Sequence, residues 1–260
     1  MIPVLKGKYG KITNLNTLNN YIFKSNLFPD IAYYTNGLCL STDYKIISTE
    51  KVKEIVFKRS KKVVFKIDNS QQGKGVYFFD KTNFETKKIA LLGNGVVQDF
   101  INQHNFFKEI IPNSVATIRI TTVMDNNGNA SARACYLSLG REIVTHVKSD
   151  TNIKIPVDLK TGKISEQGYL VDWNIIDRHP DTNIVFANKQ IPHFDKCVTT
   201  AVELQKLIPF VRSIGWDMII DENNNIKIME WNGNHNGIKF SEATQGPTFA
   251  DLGWENLWKI

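Results

Sequence analysis

The sequence is poor in the residues that common structural and catalytic signatures require. Three cysteines, Cys39, Cys135 and Cys197, are an odd number, far apart and without a CxxC pair. That excludes a disulfide framework or a cysteine-rich zinc module, and the three read as reduced core thiols. With five histidines, no Ser/His/Asp or Cys/His arrangement for a covalent nucleophile can be picked out. No stretch approaches the roughly 18 apolar residues of a membrane span, and MIPVLKGKYGK has no apolar signal-peptide segment. The expectation is a cytoplasmic chain without membrane insertion, with peripheral contact through a basic face left open. Phosphate-loop signatures are missing too. In DNSQQGKG, at 68–75, Lys74 is followed by Gly75 instead of Ser or Thr, the next segment reads as a strand, and GxGxxG is absent.

What is present is ordinary globular material. Hydrophobic residues make up 42% and charged residues 22% of 260, enough for one large domain or two small ones sharing a cleft. The net charge of +6 suits nucleic acid, an anionic surface or a polyanionic small molecule. The basic cluster Lys51, Lys53, Lys58, Arg59, Lys61 and Lys62 lies directly before a strand and is not interleaved with exposed aromatics, which weakens a single-stranded nucleic-acid reading.

Along the chain, Leu15, Leu18, Ile22 and Leu27 give 14–28 a rough helical period, 38–40 and 46–47 read as a short hairpin, and 49–57 reads as a helix. Segments 63–67 and 76–79 read as strands around the 68–75 loop, and 95–101 as another strand. Residues 115–124 and 130–139 alternate around DNNGN, and 215–220 and 226–230 around DENNN, two hairpins with a helix near 196–211 between them. Antiparallel hairpins set apart from a few helices indicate an α+β architecture.

Two features carry chemistry. In the 68–75 loop, Ser70, Gly73 and Gly75 would let backbone N–H groups approach anionic oxygens, with Lys66 and Lys74 alongside. A solvated hairpin turn explains the same residues. In the hairpin GWDMIIDENNNIKIMEWN, a loop centred between Asn223 and Asn224 pairs Asp217 with Glu230. Asp217, Glu230, Asn232, Ile219 and Ile228 then share one face, and Trp216, Met218, Ile220, Met229 and Trp231 the other. Two carboxylates with Cβ atoms about 4.5–5.5 Å apart repel unless a cation lies between them. Two carboxylates and an amide suit Mg²⁺. A solvated strand face is the alternative, against which Glu230 sits among large apolar residues.

These residues resemble the ATP-grasp superfamily, and within it the sugar-transfer-associated and teichuronopeptide-biosynthesis-like groups. The resemblance rests on VVFKIDNSQQGKGV, VVQDFI, TIRITT, RHPDT, IPHF and GWDMII…IMEWN. It implies an α+β ATP-grasp fold, two subdomains with antiparallel sheets gripping nucleotide between them. A reduced N-terminal segment would cover 1–50, a small lid subdomain 51–102 and a central subdomain with the metal site 103–260. ATP would be held by Lys66, Ser70, Gly73, Lys74, Gly75, Gln98, Asp99, Phe100, Ile101 and His104. One or two Mg²⁺ ions would be held by Asp217, Glu230 and Asn232. Arg119, Lys74 and Arg133 would serve catalysis, and His179, His193, His235 and Arg141 the substrate; His146 reads as structural. The implied activity is a ligase forming an amide through an acyl phosphate. It would join an amino acid or small-molecule amine to a sugar-carboxylate acceptor in cell-surface polysaccharide synthesis, such as capsule or O-antigen, with no nucleic-acid partner and the oligomeric state open. The alternatives are an ATP-grasp phosphotransferase acting on a sugar hydroxyl and a non-catalytic basic anion-binding module.

Overall fold

The computed structural model describes residues 8–58, 60–69, 75–141, 152–234 and 236–259. They form two units: a smaller one, Asn14–Ile101, and a larger one joining Asn102–Ile260 to the N-terminal residues up to Thr13.

In the smaller unit a short helix α1 (Asn19–Phe23) precedes a hairpin of β1 (Asp30–Thr35) and β2 (Leu38–Ser41). Helix α2 (Thr49–Val56), β3 (Lys62–Ile67), β4 (Val76–Asp80), α3 (Thr86–Leu92) and β5 (Gly95–Asp99) follow. The strands form one antiparallel sheet in the order β2-β1-β5-β3-β4. Strand alternation sends Ala32, Tyr34, Val63, Phe65 and Val97 into a core with Val52, Val56, Phe84 and Ile89. Tyr33, Val64, Lys66, Val96 and Gln98 stand on the opposite face. The boundary expected at residue 50 falls inside this unit, because β1 pairs directly with β5. The helix read over 14–28 is reduced to a 3₁₀ turn at Asn16–Leu18 and the five residues of α1. Four asparagines among residues 14–20 weaken helix propagation, and Lys24 ends it in the left-handed region (φ 46).

The larger unit holds α4 (Asn105–Ile110), β6 (Thr117–Met124), β7 (Ala130–Leu139), β8 (Ile153–Pro156), β9 (Gly168–Tyr169) and β10 (Ile175–Ile176). It is completed by α5 (Phe194–Leu207), β11 (Ser213–Ile220), β12 (Ile226–Asn232) and α6 (Lys239–Gln245). Its antiparallel sheet runs β10-β9-β8-β7-β6-β11-β12. On one face, Cys197, Ala201 and Leu204 of α5 are buried with Ile118, Ile120 and Ile214. There the Trp216 indole donates to Thr122 Oγ1 (2.8 Å), and that hydroxyl donates to Gln205 Oε1 (2.8 Å). All three side chains are buried, so each polar atom is satisfied where water cannot reach it. Trp216 stacks on Trp231, with centroids 6.0 Å apart.

Asp217 lies opposite Glu230, as the central-loop register requires, but the pairing then slips by one residue, with Met218 opposite Ile228 and Ile219 opposite Lys227. Met229 is the extra residue of a β-bulge. Ile228 therefore joins Met218 and Trp231 on the buried side, correcting its expected place beside Asp217, and the bulge re-aims the strand where Glu230 emerges.

Candidate functional site

The face of the larger sheet opposite α5 carries a row of polar side chains across adjacent strands. Register places Tyr136 of β7 opposite Arg119 of β6, Arg119 opposite Asp217 of β11, and Asp217 opposite Glu230 of β12. Adjacent strands are about 4.8 Å apart, so side chains of one row must meet. Arg119 Nε donates to Asp217 Oδ1 at 2.5 Å and Nη2 to Oδ2 at 2.7 Å, the planar fork that matches a carboxylate. Asn232 Nδ2 donates to Asp217 Oδ2 at 3.2 Å and to the Gly215 carbonyl at 3.3 Å. Gly215 makes room for this arrangement: a Cβ there would come within 3.1 Å of Arg119 Nη1 and collide with the Asn236 amide. Asp217 is buried, Asn232 partly buried and Glu230 exposed.

Burial opposes the Arg119 charge. The Asp217 carboxylate, with Tyr136 and Glu230, outweighs that cost and holds the guanidinium above its ordinary pKa. Tyr136 is pushed up by burial, against the pull of Arg119. One strand further on, Lys154 of β8 sits over the Tyr136 ring (5.4 Å to its centroid) and the Phe240 ring (5.7 Å). Burial and the nearby Arg119 lower its pKa, while Asp217 opposes the shift. Sequence reasoning overlooked Lys154, although the signal that singled out Glu230 was there: a charge between apolar strand residues, Ile153 and Ile155, both fully buried.

The donor set fits a divalent cation. Asp217 and Glu230 face each other, and the Asn232 amide already touches Asp217, so a half-turn of that amide presents an oxygen to the same point. All three are hard oxygen donors. In the protein by itself the positive charge at Asp217 comes from Arg119.

The remaining expected residues divide. Ser70, Gly73, Lys74, His146 and His235 lie outside the described residues. Lys66 and Gly75 flank the expected loop on β3 and before β4. The Ile67 N–H donates to the Gly75 carbonyl (3.0 Å), extending the β3–β4 pairing, and Gly75 has a positive φ (79), which glycine adopts without strain. Gln98 is buried and donates to Asp30 Oδ1 (2.8 Å). The Asp99 and Phe100 N–H groups donate to the carbonyls of Pro29 (2.7 Å) and Lys62 (3.3 Å). Ile101 is the last residue of the smaller unit. His104 caps α4, its Nδ1 accepting from the Phe106 N–H (3.0 Å), so that nitrogen is committed within the protein.

Arg133 and His179 are both engaged within the protein. Arg133 occupies a bulge in β7, which turns its side chain to the Thr248 carbonyl (3.0 Å), the Ala250 carbonyl (2.7 Å) and Asp251. It fastens the segment after α6. His179 is fully buried, with Nε2 2.9 Å from the Gly140 carbonyl and Nδ1 accepting from the Asp181 N–H (3.2 Å). It fixes the RHPDT turn and meets no solvent. His193 is exposed at the start of α5 in a left-handed conformation. Arg141 is partly buried, and its Nε has no hydrogen-bond partner among the described residues.

Residues 90–252, well over half the chain, match the family model described as sugar-transfer associated ATP-grasp. Among solved structures, the chain is similar to the ADP complex of purK, an N5-carboxyaminoimidazole ribonucleotide synthetase, with TM-score 0.56 and 13% identity over 92% of this chain and 50% of that one. It is similar to the biotin carboxylase–βγ-ATP complex of Campylobacter jejuni, with TM-score 0.54 and 11% identity over 94% and 45%. It is also similar to the ATP-grasp ligase PsnB with its minimal precursor, with TM-score 0.53 and 12% identity over 95% and 62%. The chain thus spans about half to three-fifths of these proteins, and at such identities the likeness is one of fold. No curated protein sequence matches it. Antiparallel sheets, an Asp/Glu/Asn set on a bulged hairpin and the family match agree: the chain belongs to the sugar-transfer-associated ATP-grasp family.

Proposed function

We infer that the protein is an ATP-dependent ligase that activates a carboxylate as an acyl phosphate and joins it to an amine. The acceptor is a sugar carboxylate used in cell-surface polysaccharide synthesis, and the amine is an amino acid or a small amine. The observation that carries this reading is the row Arg119–Asp217–Glu230, with Asn232 beside it, on the sheet of an ATP-grasp chain. The solved relatives add support, since one holds ADP and another βγ-ATP, and PsnB has been seen with Mg and ADP.

The reaction asks mainly for positioning and charge neutralisation. A carboxylate oxygen attacks the γ-phosphorus and ADP leaves. The amine then attacks the acyl carbon, phosphate departs with the bonding pair, and the amine loses a proton. No protein nucleophile is needed. Asp217, Glu230 and Asn232 would hold Mg²⁺, which supplies charge neutralisation to the phosphate oxygens. Arg119 fixes the Asp217 carboxylate in the plane of its fork, and Lys154 adds positive charge beside it for an incoming anion. Lys66 and the turn ending at Gly75 are assigned to nucleotide phosphate.

The test is a screen of ADP release with amino acids paired with UDP-glucuronate or UDP-galacturonate, with products weighed by mass spectrometry. The ligase reading predicts equal ADP and free phosphate together with an amide. ADP with phosphate retained on the sugar would make the protein a phosphotransferase and overturn it.

A further inference from the structure

Next to Lys154 stands an aromatic group that the proposed chemistry does not use. Phe240 of α6 contacts Tyr136 (centroids 5.1 Å apart), Tyr169 of β9 (5.6 Å) and Trp173 (5.9 Å, planes 25° apart). Phe240 is 6% exposed, but Trp173, stacked on it, is 50% exposed. Trp173 sits in the β9–β10 connection with φ 68, the left-handed region. A bulky residue is strained there, a strain that glycine or asparagine would largely avoid. The fold thus keeps a large ring, held from behind by packing and open on its outer side, at a backbone position that disfavours it.

A cation rests on the same Phe240 ring. Among the described residues no carboxylate forms an ion pair with Lys154, whose ammonium rests on the Tyr136 and Phe240 rings. Arg119 lies beyond Tyr136, its guanidinium carbon 5.9 Å from that ring's centroid. Lys154 Nζ and the Trp173 ring both neighbour Phe240, 5.7 and 5.9 Å from its centroid. A flat half-open ring suits the apolar C–H face of a sugar, and a cation with no ion-pair carboxylate among the described residues suits an acid.

We propose that Trp173 and Lys154 form the acceptor subsite of this protein, Trp173 stacking one sugar ring of an acidic saccharide and Lys154 holding the carboxylate of the adjoining ring on the side facing Arg119. The assignment rests on the ligase reading for its place in the reaction, but the binding it predicts does not depend on nucleotide.

The experiment is saturation-transfer-difference NMR on the full chain with digalacturonate, and with maltose as neutral control, without nucleotide. Thermal shift with Mg-ATP is run in parallel. The expected result is ring-proton saturation for digalacturonate and at least fivefold less for maltose. Trp173→Ala and Lys154→Met should each reduce the digalacturonate signal at least fivefold, with Lys154→Arg restoring part of it, and all variants should unfold near the wild-type temperature. Absent saturation in the wild type, equal signals from the two sugars, or unchanged signals in folded Trp173→Ala and Lys154→Met would overturn the subsite. A missing Mg-ATP shift alongside a positive saccharide result would instead overturn the ATP-dependent reading.

Discussion

Arg119 and Asp217 face each other on adjacent strands, and the guanidinium meets the carboxylate through two hydrogen bonds, 2.5 and 2.7 Å long. Their side chains keep 16% and 13% of their exposure, so this is a mostly desolvated pair at the centre of the proposed site. Removing one member of such a pair leaves the other charge buried and unmatched, at a cost of about 3–5 kcal/mol.

Arg119→Ala is therefore expected to lower stability by that amount and to abolish ADP release. Arg119→Lys keeps the charge but loses the fork, and should recover most of the stability and little of the activity. Chemical denaturation and ADP-release assays on both variants check this.

His179→Ala should behave differently. It removes a fully buried ring and strips the partner from the buried Gly140 carbonyl, a group that costs about 1–3 kcal/mol when left unsatisfied. The folded variant should be about 2–4 kcal/mol less stable, with an unchanged KM for ATP. A large rise in KM without loss of stability would return His179 to the substrate site.

How far the site was legible follows from these cases. Asp217 and Glu230 stood out because a charge inside an apolar strand needs a partner, and strand alternation names the face; Arg119 entered only through the family resemblance. The settings of His179 and Arg133 were not legible, for a physical reason. A histidine in a Pro-marked loop reads as accessible, but burial there depends on β7 and on the segment it packs against. A bulge cannot be counted from alternation, yet one re-aims Arg133 and another moves Ile228. Lys154 was readable by the rule used for Glu230. The long hairpins announced themselves by period, whereas β8, β9 and β10, of two to four residues, span too few periods to do so. Trp173 matters through the ring it stacks on, a contact between α6 and a connection far earlier in the chain.

Asp30 gives a pH prediction in the smaller unit. Burial pushes its carboxyl up from 3.8 to about 6, against hydrogen bonds from Gln98 and Tyr33 and the charge of Lys66. A raised pKa means that the folded state binds the proton more tightly than the unfolded chain. The contribution is present below pH 3.8 and is lost as pH rises through 6. At 1.36 kcal/mol per unit, wild type should lose about 2 kcal/mol relative to Asp30→Asn between pH 4 and pH 7, because at pH 4 the unfolded carboxyl is already half ionised. Denaturant titrations of both proteins across that range measure the difference, and a constant difference would contradict the shift.

The claim that Asp217, Glu230 and Asn232 form a metal–nucleotide site is tested most directly by calorimetric titration of a non-hydrolysable ATP analogue, with and without Mg²⁺, into wild type and Glu230→Gln. Glu230 is exposed, so its amide variant should fold normally. The account predicts that Mg²⁺ tightens binding to wild type at least tenfold, and that the tightening disappears in Glu230→Gln while metal-free affinity is retained. Equal tightening in both proteins, or no nucleotide binding by wild type, would contradict it.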